Sequence, residues 1–408
     1  MKQDKISDTR HEPKLRFYGF NLEYETVKLT DVLQLITQKN KDNESYNILT
    51  NSALWGVIFQ ADYFTKNLAA SCNYKVYKIV NIGDFVYNPR KSLHAPYGPF
   101  NRSTLKGIIS PLYMVFKDKK YCDAVYLDYY LKSTALHKSI YRIANYGARH
   151  DRMNFKSTDF LHMELKLPQD RLEQSKIAAF HHLIDQKITL LDQKIKELKR
   201  FNKKLIDNLI SNQATQKYQL GTIGYTLSGL TGKAKDDFGS GERFVNYLNV
   251  FNHHFVNIDE CEKVRVSTNE KQNKLLFGDV IFTISSENPQ EIGMSSIFTH
   301  KGQERIYLNS FCFIFRLNDF KTLTPFFAAY YFRSTTFRKK MYTLAQGISR
   351  YNLSKVSFLR QMIQIPSLEA QNKLSTIFFC NHSKVKLLEK KLENFKRFKK
   401  GLLQQMFI

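Results

Sequence analysis

The sequence predicts a mixed α/β protein with an added helical strut. Two α/β domains are separated by two long helices forming an antiparallel coiled coil, and the whole is a pseudo-two-fold tandem repeat. Three observations predict this. First, Gln174–Ile210 lies over Gln371–Phe407 without a gap. Lys187, Leu190, Leu191, Lys194, Lys199, Arg200, Phe201, Lys203 and Leu205 fall on Lys384, Leu387, Leu388, Lys391, Lys396, Arg397, Phe398, Lys400 and Leu402. Second, both stretches repeat apolar residues at alternating spacings of about four and three, the rhythm of a heptad. Third, a region of ordinary domain size, with strand, turn and helix signals, precedes each stretch. The predicted boundaries are 14–168 and 213–366 for the domains, and 169–212 and 367–408 for the helices.

In the first domain, short aromatic and β-branched runs at Tyr74–Val80, Asp84–Tyr87 and Leu112–Phe116 read as strands, and Asp123–Ala144 as an amphipathic helix. The second offers Arg243–Val250, Asp279–Ile284 and Phe311–Leu317 as strands and a helix near Thr324–Leu344. A fainter echo joins the two domains. Tyr129–Thr134 resembles Tyr330–Thr335, Arg152-Met153-Asn154 resembles Arg350-Tyr351-Asn352, and Gly83-Asp84 answers Gly278-Asp279.

The first helix has its seam at Ile184, Ile188, Leu191, Ile195, Leu198, Leu205 and Leu209; the second has Val385, Leu388, Leu392, Phe395, Leu402 and Met406. Asn202 and Lys399 interrupt the seams at matching places. A polar group there either fixes register at a cost in stability or marks a wet end of the pair. Each helix would run about 55 Å at about 1.5 Å per residue. Packed antiparallel, the two would hold one domain at each end, suiting two DNA half-sites about one helical turn (~34 Å) apart.

The net charge of +25 points to a polyanionic partner, with nucleic acid first. Anionic membrane is the rival. No apolar run approaches the length of a spanning helix, and Met1–Arg16 is charged without a signal-peptide core, so the expected location is the cytoplasm. Cys72, Cys122, Cys261, Cys312 and Cys380 are scattered and odd in number, which argues against a disulfide framework or a zinc site.

Several loops mix basic and aromatic residues. One carries Arg90, Lys91, Tyr97 and Arg102; another carries Lys233 and Lys235; a third carries Lys301 and Arg305. Arg and Lys on loops pair with base edges or hold phosphates. For any one of them a solvated surface charge is the plainer reading, whereas the set in so basic a chain reads as a DNA-facing surface. Arg149, Arg152 and Arg350 follow the domain helix in both copies. Recurrence at a duplicated position favours a structural or phosphate-holding role over base reading.

The order of domains and helices is similar to that of type I restriction-modification specificity subunits. Pro13–Phe17 with Glu25 and Lys28-Leu29, Ile82–Ser92, Gly107–Tyr113, Gly229–Lys233, Lys235–Gly239, Tyr247–Phe251, Phe282–Glu287, Glu291–Ser296 and Tyr307–Phe311 resemble recurring pieces of that family. Tyr24 stands where members often carry Trp. The resemblance implies that each domain recognises one half of a bipartite double-stranded DNA target. It implies that the helices set the gap and dock two methyltransferase subunits, with two restriction subunits joining later. S-adenosylmethionine would then belong to the methyltransferase, ATP and Mg to the nuclease, and no cofactor to this chain.

A catalytic set is hard to assemble. Asn88-Pro89 continues with Arg90 and Asn288-Pro289 with Gln290, so neither makes the Asn-Pro-Pro-aromatic element of an adenine methyltransferase. Asp236-Asp237 and Asp123…Asp128 are explained by turns and helix surfaces rather than by a nuclease metal site. Gly229-x-x-Gly232-Lys233 is too short for a phosphate-binding loop. His181-His182 and His253-His254 are adjacent pairs that cannot both point inward, which argues against a metal site. The expectation is therefore a non-catalytic protein; the alternative is a coiled-coil adaptor that never touches DNA.

Overall fold

The computed structural model describes residues 12–42, 46–63, 73–144, 153, 155–212 and 215–408. The chain divides into two units, one of residues 1–191 with 391–408 and the other of residues 192–390, so the division falls inside both long helices. Each unit has mixed α/β sheets and a segment of each helix.

The first unit has a four-stranded antiparallel sheet in the order Leu33–Ile36, Met114–Asp118, Phe85–Tyr87, Phe100–Arg102. A second sheet runs Gly56–Phe59, Ile48–Ser52, Gly107–Ile109, Lys78–Val80, and its central pair is parallel. Tyr24–Lys28 pairs with Glu164–Pro168. The second unit repeats the plan. Gly224–Ser228, Cys312–Leu317, Val280–Thr283 and Ser295–Ile297 form the antiparallel sheet. Glu262–Val264, Phe238–Val245 and Ile306–Leu308 form the other, again with one parallel pair. Gln216–Gln219 pairs with Met362–Ile365. The four-stranded antiparallel sheet has the same order and pairing senses in both units, and the other sheet keeps its parallel pair with three strands instead of four, which extends the duplication to places where the sequences no longer match.

The inner strands Phe85–Tyr87 and Val280–Thr283 are buried along their whole length because both of their faces are covered, and alternate side chains enter different cores. Phe85 and Tyr87 join one cluster while Val86 joins another. Val280 and Phe282 pack with Phe327, Phe332 and Phe358, whereas Ile281 packs with Val245 and Leu308. Gly83 and Gly278, at φ of +94° and +90°, turn the chain into these strands. The buried carboxylates of Asp84 and Asp279 close the turns by accepting from the amides of Asn81 and Leu276, each at 2.7 Å. Burial holds the Asp84 carboxyl above its usual range.

Three expected elements change. Asp123–Ala144 is two helices, Ala124–Tyr130 and Thr134–Ile143, and its counterpart is Pro325–Tyr331 and Thr335–Thr343. Ser133 and Ser334 stand at the breaks in extended conformation as caps of the second helix, and Ser334 Oγ accepts from Phe337 N. Tyr74–Val76 is a single 3-10 turn capped by Asn73, which leaves only Lys78–Val80 as strand. The Arg243 strand ends at Val245, where Asn246 caps a helix at Tyr247–Asn252. In each case a short polar residue able to cap a helix outweighs the surrounding apolar pattern.

The long helices span Arg171–Asn212 and Leu368–Gln405. A buried glutamine anchors each start. Gln174 donates to Pro168 O and accepts from Asp123 N; Gln371 donates to Pro366 O and accepts from Thr324 N. Within the first unit, His181 meets Phe407 and Asp185 meets Lys399, so the segments there run antiparallel. Within the second, Lys199 meets Glu389 and Asn202 meets Asn381, with the same sense. Ile184, Leu191, Ile195, Val385, Leu392, Leu402 and Met406 are buried, while Ile188, Leu198, Leu205, Leu388 and Phe395 are half-buried. The Leu209 side chain lies outside the described residues. Both polar seam residues have partners on the other helix: Asn202 Oδ1 accepts from Asn381 at 2.9 Å, and Lys399 bonds Asp185 at 2.5 Å.

Candidate nucleic-acid interface

The basic and aromatic loop of the first unit is a pinned hairpin. Asn88 N donates to Pro99 O at 3.0 Å, and Ser92 and Ala95 close the tip. Gly98, at φ +81°, brings the returning strand so close that a Cβ would stand 2.0 Å from Asn88 O, so no other residue fits there. Buried Asn51 ties the base, donating to Val86 O and Pro99 O and accepting from Asn101. On this frame Arg90, Leu93 and His94 are exposed and Lys91 is half-buried. Tyr97 stacks on His137 with centroids 4.9 Å apart, and its carbonyl accepts from Tyr87 OH. Arg102 is exposed at the end of the edge strand, where its amide is bonded to Asp128. The hairpin and its edge strand thus bring four candidates together. Arg149 and Arg152 lie outside the described residues.

In the second unit the candidates are dispersed, and several have local partners. The Lys233 ammonium is nearly buried and bonds both carboxylate oxygens of Glu270, at 2.7 and 2.6 Å. Its loop is held by Gln272, which bonds both the amide and the carbonyl of Thr231. Arg305 bonds Glu242 at 2.7 Å beside the Arg243–Glu304 pair. Lys301 sits 4.9 Å above the Phe277 ring, and Lys235 is exposed. Arg350 lies over Phe311 at 5.6 Å, on the rim of a cavity of about 490 Å³ that Tyr247, Glu287 and Asn288 also line. The recurrence of the arginine pointed to this place, whereas nothing in local spacing singled out Tyr247 or Asn288.

Of the two histidine pairs, only the first splits between interior and surface. His181 is buried and His182 exposed, while His253 and His254 are both half-buried and His253 bonds Glu260. Burial pushes the Cys122 thiol to about 12 and the Cys261 thiol to about 11, so neither is a ready nucleophile. Among the described residues no group of His, Cys, Asp or Glu is placed to hold a metal ion. Among those residues, too, no helix is long and apolar enough to cross a membrane.

Residues 217–397 match the family model described as type I restriction modification DNA specificity domain. No curated relative matches the chain in sequence. Among solved structures, the chain is similar to one from a study of complex assembly and conformational transition of the type I R-M system. The TM-score is 0.60 at 13% identity, over 95% of this chain and 98% of that one. It is also similar to the type I restriction-modification S subunit from M. genitalium, with TM-score 0.53 at 15% identity, over 97% and 99% of the two chains. At such identities the likeness is one of fold, and it extends over nearly the whole length. The family model thus matches much of the second half of the chain, and the likeness of fold to these two structures runs from end to end.

Proposed function

We propose that this chain is the DNA-reading, non-catalytic specificity subunit of a type I restriction-modification complex in the cytoplasm. Residues 14–168 and 213–366 each read one half of a bipartite double-stranded target. The helices of 169–212 and 367–408 form one antiparallel coiled coil that fixes the gap between halves, in a pseudo-two-fold arrangement. One observation supports this above the others: the two units share the strand order of their antiparallel sheet yet carry unlike loops, a pinned basic hairpin in one and dispersed cations with a cavity rimmed by Arg350 in the other. A common frame with divergent reading loops is what recognition of two different half-sites requires.

Arg90, Lys91, Tyr97 and Arg102 face DNA in the first domain, and Lys235, Lys301 and Arg350 do so in the second. Lys233 and Arg305 are already held by carboxylates and shape their loops first.

The helices also offer docking surfaces. Leu190 and Leu387 are 56% and 67% exposed, and Phe201 and Phe398 are each 52% exposed. These are matching positions of the repeat, so each unit shows one exposed leucine and one exposed phenylalanine on its helical segments. Repeated apolar patches fit a partner present twice, here two methyltransferase subunits, with restriction subunits added to that core. S-adenosylmethionine is then a cofactor of the methyltransferase, and ATP and Mg of the nuclease.

The test is fluorescence anisotropy of the complex with its methyltransferase on duplex DNA across a salt series. The reading expects affinity to fall steeply with salt as phosphate contacts release counterions. Absence of DNA binding at every salt concentration would favour a coiled-coil adaptor instead.

A further inference from the structure

The second unit contains a cavity of about 600 Å³ between its helical segments and its α/β layer. Lys199, Lys203, Arg333, Arg338 and Lys386 line it against a single carboxylate, Glu389, which is already bonded to Lys199 at 2.7 Å. Two of the cations, Arg333 and Arg338, are half-buried without an acid. The hydrogen bonds described for Arg333 go to main-chain carbonyls, those of Ser295, Val250, Phe251 and His253. Arg338 gives Nη2 to Gln290 O at 2.6 Å, while its buried Nη1 has no partner. Burial pulls both guanidiniums down, to about 9 and about 10, and the charge of Arg338 lowers Arg333 further. Like charges buried together without a counter-charge are costly.

The duplication supplies an internal control. Tyr129 stacks on His181 at 4.9 Å in the first unit, and Tyr330 meets Phe378 at 4.7 Å in the second, so the two places correspond. In the first unit Lys132, at the position of Arg333, is neutralised by Asp128 at 2.6 Å. Tyr129 OH donates to Asp185 at 2.8 Å. In the second unit the positions of those two acids are taken by Ala329 and His382. Tyr330 is only 6% exposed, and its hydroxyl is left without a partner. Both carboxylates of the first copy are therefore missing in the second; Arg333 keeps the charge of Lys132 and Tyr330 keeps the hydroxyl, while Lys399, the other partner of Asp185, is answered by the neutral Asn202.

We propose that this cavity binds a small phosphate-type oxyanion, either free or as the phosphate of a nucleotide, in place of the two lost carboxylates. Arg338, Lys203, Lys386 and the Tyr330 hydroxyl provide donors. Ser334, which caps the helix Thr335–Thr343, also lines the cavity and adds the positive end of that helix. No corresponding site is expected in the first unit, where acids of the chain already fill the role.

Isothermal titration of the full-length protein with orthophosphate and with ATP, at constant ionic strength against a chloride control, tests this. One saturable site is expected. His382→Asp, which restores the acid of the first copy, should weaken it about tenfold or more, as should Arg338→Gln. Lys386→Gln, an exposed change that leaves the fold alone, should weaken it several-fold. Tighter binding of ATP than of orthophosphate would identify the nucleotide as the source, and equal binding would identify the free anion. The proposal is overturned if neither anion binds saturably, or if all three variants bind as the parent does. It is equally overturned if only duplex DNA occupies the site and neither small anion competes.

Discussion

Lys399 reaches across the helix pair of the first unit to bond Asp185 at 2.5 Å, with its ammonium 5.4 Å from the Tyr129 ring. Tyr129 OH bonds the other carboxylate oxygen of the same Asp185 at 2.8 Å. One acid thus joins both helices to the α/β layer. The pair is half-buried, so its contribution is modest. A double-mutant cycle of Lys399→Ala with Asp185→Ala, read by urea denaturation, is expected to give a coupling of about 0.5–1 kcal/mol. Zero coupling would mean that the pair does not set register.

The glycine of the basic hairpin gives a second expectation. Gly98→Ala combines φ +81° with a Cβ placed 2.0 Å from Asn88 O, so the strands must part. A loss of about 2 kcal/mol or more follows, together with weaker DNA binding as Arg90 and Lys91 shift. Gly232→Ala has φ +67° but open space around it, and should cost only about 1 kcal/mol. Thermal unfolding of the two variants should rank them in that order; equal losses would contradict the close approach at Gly98.

Acid should destabilise the protein through buried His181 and half-buried His254. Burial holds His181 down to about 4, with Lys399 lowering it further, and holds His254 down to about 3, with Arg333 adding to the effect. The folded values lie below the unfolded one, so below about pH 6.5 the unfolded chain takes up protons that the folded chain refuses. The stabilising contribution is complete above that pH and is lost as pH falls towards 4. The slope is at most about 1.4 kcal/mol per pH unit for each histidine. Urea midpoints at pH 7 and pH 5 should separate for the parent and converge for the His181→Phe, His254→Phe double variant. An unchanged gap in that variant would assign the acid sensitivity elsewhere.

How much of this was legible beforehand follows from what repeats. The helices were readable because a heptad leaves the same mark in both copies, down to Gln174 and Gln371, whose side chains anchor the two helix starts. Gly83-Asp84 and Gly278-Asp279 were visible as an echo, and the structure explains them as turns that need a left-handed glycine and a bonded carboxylate. The break at Ser133 and Ser334 was hidden because a cap is one residue inside an otherwise continuous amphipathic pattern. Lys233 and Arg305 read as open cations, since their partners Glu270 and Glu242 are remote in sequence. Arg333 was visible only as part of the echo Tyr330–Thr335 and Arg338 not at all, because a packed arginine cannot be told from a solvated one until its surroundings are known.

The repeated apolar patches yield a further test. Leu190→Asp with Phe398→Asp alters the helices in the first unit, and Phe201→Asp with Leu387→Asp alters them in the second. All four side chains are exposed, so folding should be little changed. Each pair should remove one methyltransferase subunit from the complex, as measured by native mass spectrometry. Full occupancy with both pairs combined would place docking elsewhere.

The most direct test of the central claim is to lengthen the strut. Inserting one heptad into each long helix, after Glu197 and after Lys390, adds about 10 Å at about 1.5 Å per residue. That distance corresponds to about three base pairs of spacer at about 3.4 Å each. Methylome sequencing of cells carrying the lengthened subunit with its methyltransferase should show both half-sites unchanged and the gap between them widened by that amount. An unaltered gap, or changed bases within either half-site, would contradict an account in which two reading domains are held apart by a helical ruler.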